Sequence, residues 1–312
     1  MPLFAPEIMD MLRCPRDKAE TRSIARLEED GAVLRCRQGH EYPVIDGVPD
    51  LRPRPSRVGA ENYGDIHSEF EIADPAKVDL EALTAKYALE KGDVEGKDVL
   101  LAGAGVGTEL LCLLRLRPRR LVAVDYSPNI RRLRQKYQGD PAAVFMQADI
   151  LSLPFLDDSF DLVFNSGVLQ HTRSPELAFR EMYHCVKPGG AVSIGSMYMD
   201  NVRNRRITMM RLKHDLHHRP FAEVREFLWR RILRRSLLRR FRLHGLDREL
   251  TGLIIPNEGE DPAFALRQAL DWYFPEYRHV FTEEEIQQWF VEVGCTDVRK
   301  TGRQHIGKKA AR

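Results

Sequence analysis

Three groups of residues have types and spacings that suggest chemistry. In the first, Gly103, Ala104, Gly105, Val106 and Gly107 follow the apolar run DVLLAG and precede the helix-forming segment TELLCLLRL. Glycines at such a junction permit a tight turn and let a ligand approach the backbone at a helix start. A dinucleotide fingerprint would need glycine at 108, where Thr108 stands, so the spacing disfavours a nicotinamide dinucleotide. Asp125 ends the next apolar run and Asp149 ends the third. A carboxylate at the first of these positions can accept both hydroxyls of a ribose, and one at the second can reach an adenine amine. Three loops at the carboxyl edge of one parallel sheet would converge on a single nucleoside.

The second group is Cys14, Asp17, Cys36 and His40, two knuckles with 18 residues between Asp17 and Cys36. Thiolate, carboxylate and imidazole are all acceptable zinc ligands, although Asp is uncommon in structural sites. Both readings stay open: a zinc site, or a metal-free ribbon around Tyr42, Val44, Ile45 and Val48. The third group is histidine. His171 and His279 are candidate proton acceptors, because neutral imidazole is a suitable base near neutral pH. The spacing of His214, His217 and His218 places them on one helical face, where they could bind metal or make a surface contact.

Positioning the glycine loop and its carboxylates requires alternating strands and helices, and the chain has that alternation from Asp98 onward: DVLLAG, TELLCLLRL, RLVAVD, NIRRLRQKY, AAVFMQAD, SFDLVFNSG, PELAFREMYHCV, AVSIGSMYM. This pattern predicts an α/β fold, a Rossmann-like doubly wound sheet, with a small N-terminal ribbon domain and a helical insertion. The expected boundaries are 1–55 for the ribbon, 56–96 for a linker and leading helices, 97–200 for the core, 201–278 for the insertion and 279–312 for the end of the core. Thr282 with Glu285 three residues on reads as a helix N-cap, and Trp272 and Trp289 read as core. The last residues can supply two closing strands.

Of 312 residues, 43% are apolar and 30% are charged, a composition suited to a globular protein large enough to bury a core. No run of 18 uncharged apolar residues offers a membrane span. The N-terminus lacks the pattern of a signal peptide, and five irregularly spaced cysteines make no disulfide framework. The expected location is cytoplasmic. A net charge of +2 argues against a protein that coats nucleic acid, yet residues 203–248 hold 15 basic and 4 acidic residues. In FLWRRILRRSLLRRF most apolar positions share one arc, into which Arg230, Arg234 and Arg240 intrude.

The motifs LLAGAGVG, VAVDYSP, QADILSLPFLDDSFDLVFNSGVLQHT and VKPGG, in that order, resemble those of class I S-adenosylmethionine-dependent methyltransferases, especially the group related to ubiquinone and menaquinone biosynthesis. The resemblance covers about residues 97–200, with remoter similarity in 279–312. It implies that Gly103, Ala104, Gly105 and Gly107 cradle the methionine part of S-adenosylmethionine, that Asp125 and Tyr126 lie at the ribose, that Asp149 and Ile150 hold the adenine, and that Asn165 lies near the methyl group. The family usually has an acidic residue two positions before the first glycine. Leu101 stands there, and Glu109 is a candidate substitute. The N-terminal segment resembles the zinc-ribbon-like domain of a tRNA-methyltransferase activator protein and of many bacterial methyltransferases, which usually have cysteine where this chain has Asp17. The segment DWYFPEYRHVFTEEEIQQWF resembles one preceding the final helix in ribbon-bearing methyltransferases, which implies that Tyr273, Tyr277 and His279 face a pocket mouth.

Methyl transfer from a sulfonium is an in-line displacement that chiefly needs alignment and exclusion of water. A base is needed only if the acceptor is protonated, for which His171, His279 and Tyr273 are the candidates. Three functions stay open at this point. One is transfer to a small-molecule or lipid-like substrate, with the insertion as a lid. The second is RNA methylation using the ribbon and the basic helix. The third is a non-catalytic binding protein.

Overall fold

Strand β5 (Asp98–Ala102) is buried along its whole length, and β6 (Arg120–Asp125) is buried after its first residue. Continuous apolar runs of this kind fit strands covered by helices on both faces. The computed structural model describes residues 3–21, 25–53, 61–87, 89–240, 253–254 and 261–311. With β7 (Ala143–Gln147), β8 (Phe160–Ser166), β9 (Val186–Gly195), β10 (Cys295–Thr301) and β11 (Gln304–Lys309), the two form a seven-stranded sheet of order β10-β11-β9-β8-β5-β6-β7. Strands β5 to β9 pair in parallel, whereas β11 is antiparallel to both β9 and β10. The closing hairpin expected from the C-terminal residues is therefore present. Strand order reverses about β5, with β6 on one side and β8 on the other. That is the switch point at which open parallel sheets leave a crevice for ligands.

The described residues fall into two compact units. One comprises those within Met1–Ser56, Glu71–Met197 and Thr282–Arg312; the other comprises those within Arg57–Phe70 and Tyr198–Phe281. The N-terminal residues fall in the same unit as the large sheet and pair with it: Leu12 bridges Phe155, Asp50 bridges Gln147, and Leu51 N donates to the Gln147 carbonyl at 2.7 Å. Strands β1 (Leu27–Asp30), β2 (Val33–Cys36), β3 (Glu41–Ile45) and β4 (Val48–Pro49) form a second, four-stranded sheet. Its core includes Tyr42 and Val48, but Ile45 is exposed, because neighbouring residues of a strand point to opposite faces. Residues 54–60, the end of the expected ribbon and the start of the expected linker, lie outside the described residues.

The second unit is helical, and its main helices are α3 (Glu61–Ser68), α9 (Val202–Lys213), α10 (Phe221–Arg240) and α11 (Pro262–Tyr273). The buried stripe of α10 is Val224, Leu228, Ile232 and Arg235, each three or four residues from the next. Arg230 and Arg234, expected to intrude on the apolar face, are exposed instead, and Arg230 pairs with Glu226 one turn back. The side chain of Arg240 lies outside the described residues. After α11, helix α12 (Glu283–Glu292) returns the chain to the large sheet. Its N-terminus is a capping box between Thr282 and Glu285, as the spacing predicts.

Candidate functional site

The glycine loop leaves the buried end of β5 and turns back at once. Gly103 and Ala104 both donate to the carbonyl of Val124, at 2.8 and 3.0 Å, which ties the loop to β6. Gly103 and Gly107 both have φ of 93°, in the region where a side chain is strained. Space is also lacking, because a Cβ at Gly103 would lie 2.4 Å from Val168 Cγ2, and one at Gly107 would lie 2.5 Å from Leu133 Cδ2. Gly107 caps α6 (Thr108–Arg115), so the loop opens into a helix start with its unpaired N–H groups.

Asp125 ends β6 with its carboxylate 8% exposed. Its Oδ2 accepts the Gly105 N–H and its Oδ1 accepts the Ser127 N–H, each at 2.8 Å. Every carboxylate oxygen has a second lone pair, so both remain able to accept a hydroxyl. Tyr126 follows, covered by the Arg52 guanidinium 5.1 Å from its ring centroid. Arg52 is in turn fixed by a bidentate pair with Asp50. Arg52 is one of three arginines in the Pro-rich segment 51–57, and nothing in their spacing marks the one that meets Tyr126. Asp149 accepts the Leu151 N–H at 2.9 Å, and burial raises its pKa; Ile150 beside it is buried.

Asn165 lies on β8, next to β5, and is fully buried. Its Nδ2 donates to the Ala102 carbonyl, while its Oδ1 is buried with no hydrogen-bond partner among the described residues. His171 ends the short turn Leu169–His171 after β8 and is half-buried. These residues fit an S-adenosylmethionine site: a loop with no room for side chains and a carboxylate able to accept ribose hydroxyls. Leu101 is a buried strand residue and offers no charge. Glu109 does not replace it freely, because the Tyr87 hydroxyl donates to its Oε1 at 2.6 Å and burial raises its pKa. Tyr87 sits in a segment read as a linker.

The four residues of the proposed metal cluster come together, with one ligand atom from each of Cys14, Asp17, Cys36 and His40 within 4.8 Å of the others. His40 Nδ1 is 3.4 Å from Cys14 Sγ, 3.6 Å from Cys36 Sγ and 3.1 Å from Asp17 Oδ1. Tetrahedral zinc with bonds of about 2.0–2.3 Å spaces its ligands by roughly 3.3–3.8 Å, so this donor set fits the ion. The three histidines of the insertion do not behave as predicted. Helix α9 stops at Lys213, so His214 packs on Phe227, while His217 and His218 form a possible metal-binding group with Asp215.

Tyr273 and His279 belong to the helical unit. Tyr273 is fully buried in its core, and its hydroxyl both donates to the Ile254 carbonyl and accepts the Ile254 N–H, at 3.0 and 2.9 Å. This corrects its expected place at a pocket mouth and leaves it no reactive group to offer. His279 is stacked between Tyr277 and Phe281. Trp289 packs on Phe179, and Trp272 lies under the Arg203 guanidinium.

Residues 100–194, from within β5 to the penultimate residue of β9, match the family model described as "Methyltransferase domain". The chain is 36% identical over 127 residues to the malonyl-[acyl-carrier protein] O-methyltransferase of Marinomonas sp., covering 40% of this chain and 46% of that protein. It is 35% identical over 102 residues to the demethylmenaquinone methyltransferase of Clavibacter sepedonicus, covering 32% and 41%. To the tRNA U34 carboxymethyltransferase of Syntrophotalea carbinolica it is 26% identical over 150 residues, covering 47% and 44%. The matches thus span less than half the length of each of these relatives.

Proposed function

We propose that the chain transfers a methyl group from S-adenosylmethionine to a small-molecule or lipid-like acceptor, a reading supported by the match of residues 100–194 to a methyltransferase domain and by the relatives named above. The observation that carries the cofactor half is the glycine loop at the switch point of the sheet, tied to Asp125 through the Gly105 N–H. When bound, the cofactor supplies an electrophilic methyl on a sulfonium. The chain's own residues bind, orient and exclude water. Gly103, Ala104, Gly105 and Gly107 admit the methionine portion to the backbone, Asp125 accepts ribose hydroxyls beside Tyr126, and Asp149 with Ile150 receives the adenine. Asn165, at the end of β8, lies toward the reacting end of the cofactor in this reading. Where the acceptor carries a proton, His171, at the end of the turn after β8, is assigned to take it.

For the acceptor, two features of the helical unit favour a small or lipid-like molecule over RNA. Several arginines of the basic segment are already engaged: Arg225 with Glu69, Arg230 with Glu226, and Arg205 with Asp200, while Arg211 and Arg235 are buried. A surface that binds RNA backbone needs such charges free. In addition, Val202, Met209, Leu212, Leu233 and Leu237 are exposed on α9 and α10, an apolar surface unlike a phosphate-binding stripe. No helix among the described residues is long and apolar enough to cross a membrane. The Cys14, Asp17, Cys36 and His40 cluster is proposed to hold zinc in a structural role, linking α2 (Pro15–Thr21) to the four-stranded sheet.

The test is calorimetric titration with S-adenosylhomocysteine, followed by transfer of labelled methyl groups to fractionated small molecules, lipids and RNA. Label in an organic-soluble fraction supports the proposal. Label only in RNA, with binding that weakens steeply with salt, replaces it with RNA methylation. A folded protein that binds no cofactor removes it.

A further inference from the structure

Helix α9 ends at Lys213, and the next five residues form tight turns. Leu216 is fully buried in the core of the helical unit, and its N–H donates to the Arg211 carbonyl at 3.1 Å. The middle of the turn is therefore fixed by packing, while Asp215 and His218 on either side are exposed and His217 is half-buried. Asp215 has a φ of 53°, a left-handed conformation that Asp tolerates better than most residues.

One ligand atom from each of Asp215, His217 and His218 lies within 4.8 Å of the other two. The two imidazole rings are in contact, with centroids 3.9 Å apart and planes tilted by 55°. His217 Nδ1 is buried with no hydrogen-bond partner among the described residues, and no hydrogen bond or ion pair among them occupies the side chain of Asp215 or His218. Burial, and after it the Arg211 charge, lowers the pKa of His217, so its ring is neutral at pH 7 and keeps a lone pair to give.

Two imidazole nitrogens and one carboxylate oxygen are a ligand set that holds zinc and its neighbours, with a coordination position left open. Tetrahedral bonds of about 2.0–2.1 Å bring such atoms to about 3.3 Å from one another, and the exposed side chains of Asp215 and His218 can close that distance by rotation. Arg211 is the charge that opposes a cation here. Its guanidinium is turned to the carbonyls of Pro275 and Glu276, and the Asp215 carboxylate and the negative end of the α9 dipole offset it. We infer that Asp215, His217 and His218 form a binding site for a divalent transition-metal ion of the zinc class on the turn after α9. This site is separate from the Cys14, Asp17, Cys36 and His40 cluster, goes beyond the methyl-transfer reading and does not rest on it.

The test uses the full chain, stripped of metal by chelator and then saturated with zinc or cobalt alone. Elemental analysis is expected to find one fewer ion per chain in His217→Gln and in His218→Gln than in wild type, whether or not the N-terminal cluster also fills. Cobalt separates the two clusters by spectrum. The thiolates of Cys14 and Cys36 give an intense charge-transfer band in the near ultraviolet, whereas two imidazoles and a carboxylate give only weak visible bands. Those weak bands should persist in Cys36→Ser and disappear in His218→Gln. His218 is exposed, so its replacement should leave the melting temperature of metal-free protein unchanged, which separates lost ligation from lost folding. Equal ion counts in wild type and both histidine variants, or weak visible bands that survive in His218→Gln, overturn the inference.

Discussion

Asp125 holds Gly105 and Ser127 by their N–H groups, one on each carboxylate oxygen, at 2.8 Å. The carboxylate that would meet a ribose therefore also sets the shape of the glycine loop that would meet the rest of the cofactor. Loop and ligand are coupled through one side chain.

That coupling separates two substitutions. Asp125→Asn keeps one acceptor oxygen, whereas Asp125→Ala keeps none. Losing a charge-assisted hydrogen bond costs about 1.5–3 kcal/mol, so S-adenosylhomocysteine binding should weaken by roughly tenfold or more in Asn, and further in Ala. Calorimetry reads the affinity, and thermal unfolding shows whether the loop has loosened. Equal affinities in all three proteins would mean that the ribose is bound elsewhere.

Gly103→Ala places a methyl 2.4 Å from Val168 Cγ2 on a backbone with φ of 93°. A stability loss of about 1–3 kcal/mol is expected by chemical denaturation, with cofactor affinity reduced as well. Adding Val168→Ala relieves the contact but not the backbone strain, so recovery should be partial. Full recovery would show that only space matters at this position.

If zinc occupies the N-terminal cluster, Cys36→Ser should lower the metal content and the melting temperature, whereas Asp17→Cys should tighten binding by supplying a softer ligand. Zinc at about a hundredfold above its dissociation constant stabilises by about 2.7 kcal/mol. Elemental analysis and melting curves with and without chelator check this. Purified protein that contains no zinc, gains none on incubation and melts unchanged with chelator would remove the metal.

Asp271 has its pKa raised to about 6 by burial, against the Tyr198 hydroxyl that donates to it and the Arg278 charge, both of which pull it down. Its folded pKa lies above its unfolded value near 4, so the folded state binds the proton more tightly between them. This contribution to stability is present at low pH and is lost as pH rises from about 4 to 6, by up to about 3 kcal/mol. Asp271→Asn retains an acceptor for Tyr198 and removes the titration. The variant should therefore be more stable than wild type at pH 8 by roughly 1–3 kcal/mol and lack this fall. Denaturant midpoints from pH 4 to 8 measure it, and parallel pH profiles for the two proteins would refute the assignment.

Much of the sheet unit was legible because its signals are local. Apolar runs, a glycine spacing and carboxylates at run ends place strands β5 to β8 and the loop between β5 and α6 without reference to any other part of the chain. The capping box at Thr282 is similarly contained in four residues. The tie between the N-terminal segment and the large sheet was not legible, because the pairing of Leu51 with Gln147 joins residues 96 apart and leaves no periodic trace. The histidine triplet failed for a related reason. Helical spacing was assumed up to His218, but α9 ends at Lys213 and the following turn re-aims each ring.

The sequence by itself determined which segments alternate as strand and helix, where the backbone must take positive φ, and that four metal-capable residues exist, since these depend on residue type and short spacing. Tertiary structure alone decided the rest. It drew Cys14, Asp17, Cys36 and His40 within 4.8 Å of one another, buried the Tyr273 ring and satisfied its hydroxyl, and buried Asp271 beside the Tyr198 hydroxyl. Each of these outcomes depends on which distant segments share an interior, where the cost of an unpaired charge or polar atom is set by neighbours the local sequence does not contain.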